Sequence, residues 1–191
     1  MDSNINSKCN TTPIYNPSKW EDNIYIKDSH NCYAYALNDI EQNRVNKCKD
    51  LLTKKNKTTC LSLRPSPGRH SKYKQKNKSS DKKYTCNGLQ NRIIADNKYI
   101  YKVGKNQDCK SCYYKIAYAV DPGKTFHFYR QNHDKTWSHK EGGSHIKTRD
   151  ASNKIIKDPK TADRKYSYAH FKNFCGYLCV PENNFANTYS K

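Results

Sequence analysis

The chain is short of acids, of methionine and of long apolar runs. Its 191 residues carry 36 Lys and Arg against 17 Asp and Glu, a formal charge of +19 with histidine neutral, and one Met. No stretch approaches the roughly 20 apolar residues that cross a bilayer as a helix, which argues against a membrane span. The first twenty residues, MDSNINSKCNTTPIYNPSKW, lack the apolar core of a secretory signal, so the expected location is intracellular. KVGKNQ and KEGGSH lack the strand–loop–helix context of a phosphate-cradling loop, which argues against a nucleotide-driven enzyme. HExxH pairs, a GxSxG elbow and EF-hand loops are also absent, and no cofactor or metal is expected.

Aromatic residues offset this polarity. Only 34% of residues are hydrophobic, but 16 Tyr, five Phe and two Trp supply large buried areas, so a globular core under a basic surface is expected rather than disorder. The charge attracts polyanions such as nucleic acid in a salt-sensitive way. Lys outnumbers Arg 29 to 7, a bias that AT-rich coding also produces. Nine Cys is an odd number, so at least one stands outside any intramolecular disulfide.

Residues 1–20 read as an extended lead-in interrupted by Pro13 and Pro17, and residues 182–191 as a tail. The text DSHNCYAYALNDIEQ predicts a main helix capped by Asp28, Ser29 or Asn31 and running to about Gln42, with Tyr33, Ala36, Leu37 and Ile40 on one face. Residues 43–85 form a Lys-rich insert: fourteen Lys or Arg and two acids lie between Arg44 and Lys83, around a Pro/Gly turn, LRPSPGRHS. Its run SKYKQKNKSSDKK reads as a solvated loop, and Lys72, Lys74, Lys76, Lys78, Lys82 and Lys83 are the candidate polyanion contacts. Strands are predicted at RIIAD, KYIYKV, CYYKIAYAVDP, TFHFYRQ, TWSHK and FCGYLCVP, the fourth and fifth forming a hairpin across the polar NHDK turn. One early helix followed by an antiparallel sheet is an α+β class.

Cys32 lies in the first turn of the predicted helix, where unpaired N–H groups and the helix dipole stabilise a thiolate. A cysteine nucleophile needs an imidazole base and a polar group that orients it. His127, within FHFY, and His139, within WSHK, are the candidates, and Asp134 or Asn132 could replace His139 as the orienting group. A hairpin loop of odd effective length makes His127 and His139 face each other directly, with Tyr129 and Trp137 paired on the same face and walling the site. A plain four-residue loop puts them on opposite faces. His30 reads as a capping or surface residue with a possible substrate contact, and Asn31 as a helix cap. For Cys109-x-x-Cys112 and Cys175-x-x-x-Cys179, zinc, disulfides and buried thiols all remain open.

These motifs resemble a group of bacterial and large-DNA-virus proteins related to NlpC-type cysteine peptidases of the papain-like superfamily. The resemblance rests on HNCYAYAL, RPSPGR, YYKIAYAVDPGKTFHFYRQNHDKTWSHKEGG, DPKTADR and FCGYLCVP, and covers roughly residues 17–181. It implies a single papain-like α+β domain over residues 21–181, in which the early helix carries Cys32 against an antiparallel sheet. It further implies that Cys32 is the nucleophile, His127 the base and His139 its orienting partner, cleaving a peptide or amide through an acyl-enzyme. Asn31, His30, Tyr129 and Trp137 are then candidate oxyanion or substrate contacts. The alternative is an inactive basic protein on the same fold, binding nucleic acid or another polyanion. A viral source would make it virion-associated.

Overall fold

A computed structural model of the chain describes residues 12–54, 57–75 and 82–182. The helical part is more broken than the sequence predicts. A four-residue turn of helix, α1 (Ser18–Glu21), interrupts the expected extended lead-in because Trp20 is drawn into the core, its ring 5.2 Å from that of Tyr35. The single helix expected over residues 28–42 is replaced by α2 (Ile24–Ser29), α3 (Cys32–Ala36) and the start of α4 (Gln42–Lys54). Two caps cause the breaks. His30 and Asn31 are extended, and the Asn31 side chain restarts the helix by accepting from the N–H groups of Tyr33 and Ala34. At the other end Asn38 takes a left-handed φ of 51°, and Asp39 N–H reaches back to Ala34 O while Asn38 N–H reaches Tyr35 O. That is a Schellman ending with Asn as the left-handed residue.

The Lys-rich insert is largely structured. Helix α4 occupies its first part, burying Val45 and Cys48, and Cys48 is disulfide-bonded to Cys60 ahead of a short 3-10 turn (Leu61–Leu63). RPSPGRHS is a packed element, not a solvated one. Asn31 Nδ2 donates to Pro65 O, and the Asp96 carboxylate accepts from Gly68 N–H at 2.7 Å and Ser71 N–H at 2.9 Å. Gly68 has a φ of +86°, and a Cβ there would press on the Arg92 and Tyr73 side chains. RIIAD is helical where a strand is expected: it ends α5 (Cys86–Asp96), which Thr85 caps and which buries Leu89 and Ile93, four residues apart. The β-branched pair Ile93–Ile94 suggested a strand, but the cap and the apolar i, i+4 spacing decide the outcome.

The strands match expectation more closely. They are β1 (Tyr101–Val103), β2 (Tyr113–Asp121), β3 (Thr125–Gln131), β4 (Trp137–Lys140), β5 (Ile146–Lys147) and β6 (Asn173–Pro181), with β5 not foreseen. They form one antiparallel sheet in the order β1-β6-β2-β3-β4-β5. The α+β class is thus observed. Ile116, Tyr118, Val120 and Phe128 face α3 and α5, together with Leu178 and Val180. Ala117, Tyr129, Trp137 and Tyr177 face the other way, against Ile156 of the 148–171 segment. Central strands covered on both faces read as near-continuous apolar runs, as β2 does.

A bulge in β6 explains the cysteines. Tyr118 pairs with Gly176 and Ala119 with Phe174, so Cys175 is skipped and Gly176 adopts a φ of 129°. Alternation therefore breaks between Cys175 and Cys179. Cys175 joins Cys86 on the helix side, and Cys179 joins Cys109 on the other. Cys112 is also disulfide-bonded, so these four cysteines are oxidised and offer zinc no thiolate pairs. No helix among the described residues is long and apolar enough to cross a membrane.

Candidate active site

Cys32 opens α3 and is the free cysteine among the described residues. It is 5% exposed, and burial pushes its thiol up to about 12, opposed by the N–H groups of Phe128 and Tyr33, its own N–H, and the Lys140 ammonium. The resting group is a protonated thiol. Its first turn is fixed from outside by the Asn31 cap and its tie to Pro65. From the sheet side, Arg130 lies 4.0 Å over the Tyr35 ring and donates to the Tyr35 hydroxyl at 2.9 Å.

The two candidate imidazoles meet. His127 Nε2 is 2.8 Å from His139 Nδ1, both rings are buried, and His139 Nε2 is 3.0 Å from Arg149 O. The register explains this. Gln131 pairs with Trp137 across a five-residue connection, residues 132–136, so positions 127, 129, 137 and 139 share a face. His127 and His139 are diagonal neighbours rather than directly opposed, and strand twist closes the diagonal.

That chain of contacts fixes the tautomers. Burial lowers the pKa of both rings, with the neighbouring imidazole adding to the effect at His127, so both are neutral at pH 7. A carbonyl only accepts, so His139 Nε2 carries its proton toward Arg149 O. His139 Nδ1 is then an acceptor, and His127 Nε2 must be the donor to it. His127 Nδ1 is left with a lone pair, the form a general base requires.

Cys32 and the two imidazoles pack on different faces of the sheet. Cys32 belongs to the helix-side cluster with Phe128, whereas His127 stacks on Phe171, 4.9 Å between rings, with Tyr129 and Tyr166 around it. No hydrogen bond joins the Cys32 thiol to either imidazole among the described residues. The DPKTADR element holds the cover over His127: Arg164 donates to Pro159 O, Lys160 O and Phe171 O, and Asp158 accepts from Tyr177 and Lys105.

Lys140 was not foreseen. It is fully buried on the Cys32 side, and its Nζ donates to Lys27 O at 2.6 Å and Gly142 O at 2.5 Å. Burial, with help from the Arg64 guanidinium, lowers it to about 7, while Cys32 and Asp28 act in the opposite direction. Arg64 in turn pairs with Asp28 at 2.5 Å against Gly143, where a Cβ would strike both side chains. Gly142 and Gly143, just beyond Glu141, leave room for the Arg64–Asp28 pair. The alternation of WSHK already placed Lys140 opposite His139 in facing, and that was the available signal.

The remaining candidates separate. His30 is a cap and not a surface residue: it is the fully buried C-cap of α2, its Nδ1 lies 3.1 Å from Ile26 O, its Nε2 accepts from Glu41 N–H, and burial lowers it to about 4. Trp137 packs beside Tyr177, and the Tyr129 and Tyr166 phenols interact with each other without a well-aligned hydrogen bond. Asp134 turns the hairpin, accepting from Thr136, and Asn132 accepts from the Ser138 hydroxyl, so neither orients His127. Lys72, Lys74, Lys82 and Lys83 are exposed, while Lys76 and Lys78 lie outside the described residues. Tyr73, the aromatic of that run, is covered by the Arg92 guanidinium at 5.0 Å.

No family model matches the chain, and no solved structure matches it significantly. Insoluble matrix shell protein 1 of Ruditapes philippinarum is 42% identical over 65 residues, 34% of this chain. The match spans 41% of that protein's length.

Proposed function

We propose that the chain is a cysteine hydrolase, a peptidase or amidase, in which Cys32, His127 and His139 act in an NlpC-like arrangement. The observation that carries this reading is the hydrogen-bond chain from His127 through His139 to Arg149 O, which leaves His127 Nδ1 as a neutral base. The only free cysteine among the described residues sits at a helix N-terminus, bonded to the N–H of the residue next to that base. In the reaction His127 Nδ1 takes the thiol proton, the thiolate adds to the substrate carbonyl, and the Cys32 N–H stabilises the oxyanion. His127 then protonates the leaving amine, and water, activated by the same nitrogen, releases the acid. The closed resting state requires that substrate binding bring Sγ to Nδ1. Peptide, amide and ester substrates should give a Cys32 thioester visible by intact-mass measurement. It should be absent in Cys32→Ala, and turnover should fall by about 10⁴-fold or more in His127→Ala. No thioester and no turnover from folded wild-type chain would overturn the reading.

A second reading, a basic binding protein without catalysis, is favoured by the charge of +19 and by the likeness to a shell matrix protein. It predicts polyanion binding that weakens steeply with salt and survives Cys32→Ala. On either reading the disulfides Cys48–Cys60, Cys86–Cys175 and Cys109–Cys179 suit an oxidising compartment better than the intracellular location expected from the N-terminal residues.

A further inference from the structure

A second polar site lies away from His127 and His139, between the start of α4 and the packed RPSPGRHS turn. It is a cleft of about 270 Å³ lined by Arg44, Lys47, Arg69 and His70, with Glu41 at one side and Leu63 and Pro65 as its apolar wall. Three permanent cations face one lining carboxylate. The half-buried Asp39 carboxyl also feels Arg44 and His70, and desolvation raises its pKa.

Arg44 is the unusual member. Its side chain is 9% exposed, and one edge of the guanidinium is used, with Nη2 on Glu41 Oε2 at 2.6 Å. The other edge is unpaired: Nη1 is buried and, among the described residues, has no hydrogen-bond partner. Guanidinium donors removed from water are normally satisfied, and a planar fork with one open edge suits an oxyanion. Lys47 and Arg69 are exposed at the rim, where they can complete the shell around a bound anion.

The walls are fixed in advance. The Cys48–Cys60 disulfide ties α4 to the 3-10 turn, Asn31 holds Pro65 O, and Asp96 holds Gly68 and Ser71. Such pre-organisation lowers the entropy lost on binding. We propose that this cleft binds a single tetrahedral oxyanion, a phosphate or sulfate group, through Arg44 Nη1 with Lys47 and Arg69. The site is distinct from the Lys72–Lys83 run and does not rest on the hydrolase reading.

The test uses the full, disulfide-intact chain in low-chloride buffer, titrated with inorganic phosphate, inorganic sulfate and O-phosphoserine and followed by ¹H–¹⁵N spectra. Saturable shifts confined to residues 41–47 and 63–70 are expected. Binding should weaken by at least about tenfold in the double variant Lys47→Gln/Arg69→Gln and stay unchanged in Lys157→Gln. Both altered rim residues are exposed, so the double variant should keep a native spectrum. Tighter binding of O-phosphoserine than of inorganic phosphate would assign the site to a monoester, and equal binding to the free ion; both support it. Unsaturable shifts spread over many lysines, no shift at all, or equal affinity in the double variant would overturn it.

Discussion

The two faces of the central sheet carry the same polar ambition by different means. On the helix face, Cys32 is buried among apolar groups and Lys140 against backbone carbonyls, and their proton affinities are set chiefly by the loss of water, one raised and the other lowered. On the opposite face, His127 and His139 are equally buried, but a relay ending on Arg149 O decides which nitrogen holds each proton. Burial alone makes a neutral thiol and a neutral imidazole; it does not make either one directional. The relay supplies direction to His127, and strand β3 carries both faces, with His127 on one and the Phe128 N–H bonded toward Cys32.

The disulfides offer the largest perturbation of this comparison, because each face has its own. Cys86–Cys175 closes a separation of 89 residues on the helix side and Cys109–Cys179 one of 70 on the other. Chain-entropy arguments give each about 4–5 kcal/mol. Denaturant melts of Cys86→Ala/Cys175→Ala and Cys109→Ala/Cys179→Ala should therefore fall by similar amounts. A large loss in one and none in the other would mean that one face is not folded through its crosslink.

The pH dependence of stability separates the faces further. His30 binds its proton more weakly when folded, at about 4 against an ordinary value near 6.5. The unfolded chain thus holds more protons in that window, so stability rises from pH 4 to 6.5 and is lost as pH falls, by up to about 3 kcal/mol. Lys140, at about 7 when folded, acts in the same direction between pH 7 and about 10. The variant His30→Gln should flatten part of the acid limb, leaving the contribution of His127 and His139. An acid limb unchanged in His30→Gln would place the whole effect on the histidine face.

A smaller effect is expected at Gly143. The substitution Gly143→Ala forces a methyl group against the Arg64–Asp28 pair beside Lys140. Overpacking there should lower stability by about 1–3 kcal/mol without disturbing the imidazole signals on the other face. Loss of the His127–His139 contact in its NMR spectrum would show that the faces are coupled through β4.

Much of this was legible in particular residues. Alternation in TFHFYRQ and TWSHK placed β3 and β4, and the odd loop length that puts both histidines on one face was recognised as the deciding variable. The helices were less legible because their breaks depend on Asn31 and Asn38, whose side chains and left-handed geometry override the apolar period of Tyr33, Ala36, Leu37 and Ile40. RIIAD reads as a strand from its β-branched pair alone, and the Thr85 cap that makes it helical lies seven residues upstream. Cysteine pairing was out of reach for a different reason: the β6 bulge at Cys175 reverses facing, and spacing cannot reveal a bulge. Lys140 and Arg44 escaped notice because a buried cation looks like any surface cation until its neighbours are known.

The central claim is that His127 Nδ1 is the base for Cys32. Its most direct test is the rate of Cys32 alkylation by a saturating peptidyl chloromethyl ketone, whose binding supplies the closure that brings Sγ to His127 Nδ1, followed by mass spectrometry from pH 6 to 9 in wild type and His127→Ala. With all other described cysteines oxidised, the readout there belongs to Cys32. The account predicts a nearly flat wild-type profile, since the imidazole is already neutral across that range. In His127→Ala the rate should be slower and climb about tenfold per pH unit, as a thiol pushed up to about 12 requires. A wild-type profile that climbs as steeply as the variant's would contradict the account, leaving Cys32 a buried thiol and His127 without a role in its chemistry.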